Sequence, residues 1–144
     1  MIMKIEALGH VVIKVSSLTK ANEFYEGLLG LPVCARTEGM TFYSLGNHHD
    51  FAVAEIGEDA QPADLQSVGL AHVAFKIGED IGKLREAKTR LDDAGIQSTA
   101  INHNVTKSLY FSDPDGNGVE LYIDASDSWK EDSTRVVHVE PLEL

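Results

Sequence analysis

Ser108-Leu-Tyr-Phe-Ser-Asp-Pro-Asp-Gly-Asn-Gly-Val-Glu-Leu-Tyr-Ile-Asp124 is the stretch that decides how the other residues of this 144-residue chain are read. Two apolar runs, Leu109 to Phe111 and Val119 to Ile123, flank Asp-Pro, Asp-Gly and Asn-Gly dipeptides. Proline fixes its own φ and glycine tolerates positive φ, so the pattern predicts a β-hairpin with positive φ at the glycines. Side chains alternate along a strand, which sets Val119, Leu121 and Ile123 on one face and Glu120 with Tyr122 on the other. One carboxylate therefore stands mid-strand, away from the packed side. Alone it reads as an ordinary solvated glutamate.

It does not stand alone, because the chain repeats itself. Ile5 to Val15 reads as a strand carrying Gly9-His10-Val-Val-Ile-Lys14, and the pattern returns as Ala71-His72-Val-Ala-Phe-Lys76. Each copy leads into an amphipathic helix. In the first, Ser17 is the expected N-cap, Leu18, Ala21, Tyr25 and Leu28 form the stripe, and Gly30 marks the stop. In the second, Ile81, Leu84, Ala87 and Leu91 form the stripe and Gly95 ends it. Three strand-like runs follow each helix: Val33 to Glu38, Met40 to Ser44 and Phe51 to Glu55, then Ile96 to Ile101, Ser108 to Ser112 and Val119 to Ile123. The expected fold is α+β, two tandem βαβββ modules in one domain spanning 1–144. Module one covers about 4–57, a linker 58–67, module two about 68–124, and a tail without helical period covers 125–144.

The same parity places His10 opposite the Val11, Ile13, Val15 face and His72 opposite Val73, Phe75 and Ile77. Two histidines at matched positions of a repeat, joined by Glu120 with the same facing, read as a metal site. Two imidazoles and one carboxylate suit a divalent first-row ion and leave coordination positions open. The formal charge of −11, from 12 Lys plus Arg against 23 Asp plus Glu, argues against a nucleic-acid partner. Cys34 is the single cysteine, so neither an internal disulfide nor a cysteine-based metal site is expected. The opening Met-Ile-Met-Lys runs straight into a strand-like pattern, and no apolar run reaches membrane length. A cytoplasmic protein with no membrane partner is the expectation.

The paired His-bearing strands, Phe24-Tyr25 followed by Leu29-Gly30-Leu31, and the tyrosine-to-glutamate hairpin resemble the vicinal oxygen chelate superfamily over about residues 5 to 124. Within it the chain is most similar to extradiol ring-cleaving dioxygenases of the catechol 2,3-dioxygenase kind, in a short form with one module pair. The resemblance implies a mixed sheet curled around a metal held by His10, His72 and Glu120. It implies Fe(II), with Mn(II) as a second choice, and a small aromatic diol and O2 as substrates. His49 matches the active-site histidine of ring-cleaving members, a proton-transfer group. Tyr110 matches their tyrosine that bonds a substrate oxygen, and His103 their histidine upstream of it. Aligning the two copies sets Ala52 against Glu120, so the site has three protein ligands unless Glu55 supplies a fourth. A fourth carboxylate belongs to a glyoxalase-like isomerase or lyase with Ni or Zn, the alternative reading. A metal-free sequestering protein of the bleomycin-resistance type is a further alternative, against which the three ligand residues weigh. Proteins of this resemblance often associate as homodimers, and the tail offers Trp129, Val136, Val137 and Leu142 as contact material.

Overall fold

The computed structural model describes residues 1–144. The chain divides into two compact units, Met1–Pro62 and Ala63–Leu144, with the division inside the segment expected as a linker. Each unit carries its own mixed sheet.

In the first unit β1 (Val11–Val15), β2 (Val33–Arg36), β3 (Met40–Tyr43) and β4 (Phe51–Glu55) take the order β1-β4-β3-β2. β1 runs parallel to β4 and the other neighbours are antiparallel. The helix after β1 begins where expected: the Ser17 side chain accepts from Lys20 N. After α1 (Leu18–Asn22) the chain widens into a π-helical stretch, Glu23–Leu28, and Gly30 stops it at φ +76°. Its buried side presses Tyr25 onto Phe51, ring centroids 4.9 Å apart, with Tyr43 6.3 Å from Tyr25. The Tyr43 hydroxyl, carried inward with its ring, donates to Asn22 Oδ1 at 2.9 Å, as a buried phenol must find an acceptor. Burial and the charge of Glu26 push that phenol up to about 12, against a smaller opposing effect of Arg36.

In the second unit β5 (Val73–Gly78), α2 (Ile81–Asp93), β6 (Thr99–Asn102), β7 (Thr106–Ser112) and β8 (Gly118–Asp124) repeat the arrangement as β5-β8-β7-β6. Asp80 caps α2 by accepting from Gly82 N, and Gly95 ends it at φ +73°. Leu84 and Leu91, a helical spacing apart, are buried, as are Leu109, Val119 and Ile123 on the strands that α2 covers. The tail is not loose. After two 3-10 turns, β9 (Glu140–Pro141) pairs with β6 as a fifth strand, Asn102 opposite Glu140.

Two expectations are corrected. The first strand starts at Val11 and not at Ile5, so His10 precedes β1 instead of lying at its centre, as His72 precedes β5. The hairpin forms, but only Gly116 takes positive φ, +85°. Gly118 is required for space: a Cβ there would overlap the carbonyl oxygen of Ala71, the residue before His72. Glu120, which would be solvated if it stood alone, is 7% exposed.

Candidate metal centre

The second unit builds its group from the residue before β5, from β7 and β8, and from the β6–β7 turn. Glu120 lies opposite Ala74 on one side and Tyr110 on the other, so one ladder row fixes its position between two strands. Ser108, fully buried two residues before Tyr110 on the same face, donates its hydroxyl to Glu120 Oε1 at 2.6 Å. Glu120 Oε2 lies 3.1 Å from His72 Nε2. Ligands about 2.1 Å from one ion stand roughly 3 Å apart when they meet at a right angle, so this pair fits a divalent metal without rearrangement. One carboxylate oxygen is thus held by Ser108 while the other faces His72.

Tyr110 extends the group. Its ring meets that of His72 edge-on, centroids 5.3 Å apart, and its hydroxyl is 2.8 Å from His103 Nε2. His103 Nδ1 is 2.7 Å from the carbonyl oxygen of His138. A carbonyl only accepts, so Nδ1 carries the proton; in the neutral ring Nε2 then accepts, and Tyr110 is the donor. Burial first, then the charge of Glu120, push the Tyr110 phenol up to about 12. It remains protonated across the physiological range.

The first unit gathers a different set. Asn47 Nδ2 donates to the Gly9 carbonyl at 3.0 Å and Val11 N donates to the Asp50 carbonyl at 3.1 Å, which ties the 44–50 loop to the chain on both sides of His10. His48 Nδ1 and His49 Nδ1 are 2.8 Å apart, and the His10 ring lies 4.2 Å from that of His49. His49 also meets Phe42 edge-on at 5.3 Å. Partial desolvation, then the neighbouring His10 and His48, hold His49 below the ordinary histidine value, against a smaller raising effect of Asp50.

The repeat can be checked residue by residue. Val12 pairs with Ala52 as Ala74 pairs with Glu120, and His10 and His72 each stand two residues before those positions. Ala52 is therefore the equivalent of Glu120 and offers no ligand. Glu55, the possible fourth ligand, has its Oε2 2.7 Å from Leu18 N and serves the start of α1. The structure thus brings His72, Glu120, Tyr110 and His103 together in one unit and His10 with His49 in the other. Ser108, His48 and the His138 carbonyl were not singled out in the sequence. Only Ser108 left a signal there, its shared facing with Tyr110.

The sequence pattern of the Glyoxalase/Bleomycin resistance protein/Dioxygenase superfamily matches residues 7–121. Biphenyl-2,3-diol 1,2-dioxygenase 3 from Rhodococcus globerulus is 36% identical over 140 residues, covering 92% of this chain and 70% of that protein. Glutathione transferase FosA from Serratia marcescens is 29% identical over 119 residues, covering 83% of this chain and 82% of that protein. The chain spans only 62% and 44% of the length of two further dioxygenase relatives. Among solved structures, the glyoxylase/bleomycin resistance protein/dioxygenase domain from Frankia sp. EAN1pec aligns with a TM-score of 0.68 at 20% identity, covering 84% of this chain and 99% of that one. That likeness is one of fold.

Proposed function

The chain belongs to the glyoxalase/bleomycin resistance protein/dioxygenase superfamily, and from that premise we propose that it is a metal-dependent extradiol dioxygenase cleaving a catechol-like ring with O2. The observation that carries the reading is the hydrogen-bonded line from His138 through His103 to Tyr110, standing beside the His72–Glu120 pair. The proposed ligands are those the resemblance implies, His10, His72 and Glu120, and the proposed metal is Fe(II), or Mn(II), which the same donors accept. When bound, the metal would supply Lewis acidity toward the diol oxygens and redox chemistry toward O2.

The protein's own residues would do the rest. Ser108 holds one oxygen of Glu120, which keeps the other turned toward His72. Tyr110, protonated and hydrogen-bonded to His103, sits where it can steady a substrate oxygen as charge develops there. His49, held below the ordinary histidine value, stays neutral near pH 7 and is suited to take a diol proton.

A redox-neutral reading is favoured by the 29% identity to Glutathione transferase FosA. Oxygen separates the two. Anaerobic reconstitution with Fe(II), followed by oxygen-uptake measurement over a panel of substituted catechols, should show O2 consumed in step with ring opening to a muconic semialdehyde-type product. Iron bound with no oxygen uptake on any catechol would favour the redox-neutral chemistry. No helix is long and apolar enough to cross a membrane. We also propose a symmetric homodimer, for which exposed Trp129, Val136 and Val137 offer apolar contact area; a monomer by sedimentation at micromolar concentration would refute it.

A further inference from the structure

We propose that His10, His48 and His49 form a separate three-imidazole site within the first unit, which takes a borderline transition-metal dication such as Zn²⁺ and competes for His10 with the His10–His72–Glu120 set. Each ring offers one nitrogen, and these nitrogens all lie within 4.8 Å of one another. Nitrogens bound about 2.1 Å from one ion stand roughly 3 Å apart at a right angle and roughly 3.4 Å apart at a tetrahedral angle. The His48 and His49 Nδ1 atoms, at 2.8 Å, already have nearly the first separation. His10 and His48 are exposed, so a small rotation of either ring closes the remaining gap at little packing cost.

The backbone beneath the cluster is built, not incidental. The Asn47 side chain bridges the loop to Gly9, and the His48 N–H donates to Asn47 Oδ1 at 2.8 Å. The same asparagine therefore ties down both His48 and the residue next to His10. The one carboxylate in the loop is engaged elsewhere: Asp50 Oδ2 accepts from Leu45 N and Asn47 N. An all-nitrogen donor set selects Zn²⁺, Cu²⁺ or Ni²⁺ over oxygen-seeking Mg²⁺ or Ca²⁺. It differs in this respect from the set containing Glu120, whose carboxylate suits Fe(II) and Mn(II). His48 belongs to the three-imidazole site alone. An ion held there would withdraw both His10 and His49 from the chemistry proposed above.

The test uses the full chain, stripped with chelator and titrated with Zn²⁺. The His72→Ala, Glu120→Gln double variant should still bind one Zn²⁺ per chain. Adding His48→Ala to it should weaken that binding by at least the roughly tenfold that even an outer partner of a metal ligand is worth. His48→Ala alone should retain an ion through His10, His72 and Glu120. A double variant that binds no Zn²⁺, or one whose affinity ignores His48→Ala, overturns the proposal. Equal binding by wild type and double variant, with a loss only on His48→Ala, would uphold it while refuting the His10–His72–Glu120 set. Because replacing buried Glu120 risks the fold, His72→Ala alone gives a milder background with the Ser108–Glu120 bond kept. There the His48 ring ¹⁵N signal should shift with Zn²⁺, and an unmoved signal overturns the proposal.

Discussion

Ser108→Ala removes one hydroxyl, and two separate measurements should register it together. Ser108 is fully buried and Glu120 is 7% exposed, so water cannot replace the bond from Ser108 Oγ to Glu120 Oε1. A hydrogen bond to a charged group contributes about 1.5–3 kcal/mol, and the short 2.6 Å separation belongs to that class. The expected loss for the metal-free chain is about 2 kcal/mol in denaturant unfolding. The same change against Glu120→Ala should cost about 0.5 kcal/mol or less, because the acceptor has gone, leaving a coupling energy of roughly 1.5 kcal/mol between the two positions. The second measurement is metal affinity. Without Ser108 the carboxylate can turn, and Oε2 is no longer aimed at His72. Residues that orient a ligand are worth about 10–100-fold in affinity, so Fe(II) or Mn(II) should bind that much more weakly. A coupling near zero would show that Ser108 does not hold Glu120. A full coupling with unchanged metal affinity would show that Glu120 is a structural carboxylate and not a ligand.

His49→Ala should keep iron and still bind a catechol while losing turnover by roughly 10²–10⁴-fold, the range for a general acid-base group; loss of iron would instead make His49 a ligand. Tyr43 and Tyr110 both have phenols raised from 10.0 to about 12, so the folded chain binds more protons than the unfolded one between those values, and their contribution is complete below pH 10 and lost as pH rises toward 12. Unfolding midpoints should therefore fall over that window, and less steeply in Tyr43→Phe and Tyr110→Phe; equal slopes would refute the assignment. Gly118→Ala puts a Cβ into the Ala71 carbonyl, and the strain should cost about 1–3 kcal/mol in unfolding and weaken metal binding by displacing the chain before His72. Deleting residues 138–144 removes the His138 carbonyl and β9, and the His103 ring ¹⁵N signals should lose their single-tautomer pattern; unchanged signals would mean that Tyr110 alone orients the ring.

What could be read in the sequence was whatever a periodic pattern or a repeat encodes, because both depend on local rules. The alternation around Glu120 gave its facing correctly, and the matched His10 and His72 positions gave a register that the ladders Val12–Ala52 and Ala74–Glu120 reproduce pair for pair. The burial of Glu120 has no local signature, because whether a strand face is solvated depends on what reaches over it, here Ser108 from β7 and His72 from just before β5. The start of β1 was misread for a related reason. Ile5 and Leu8 have strand-like character, yet parallel pairing begins only at Val11 opposite Phe51, so residues before it have no ladder to join. The tail shows the limit most plainly. Residues 125–144 carry no period, and their place is set by two long-range events, Glu140 meeting Asn102 and the His138 carbonyl meeting His103. Neither leaves a spacing rule in the chain. The second event nonetheless sets which nitrogen of His103 is protonated, and so which nitrogen faces Tyr110 as an acceptor. A segment with no readable pattern thus sets the donor geometry of the residue pair on which the proposed chemistry depends.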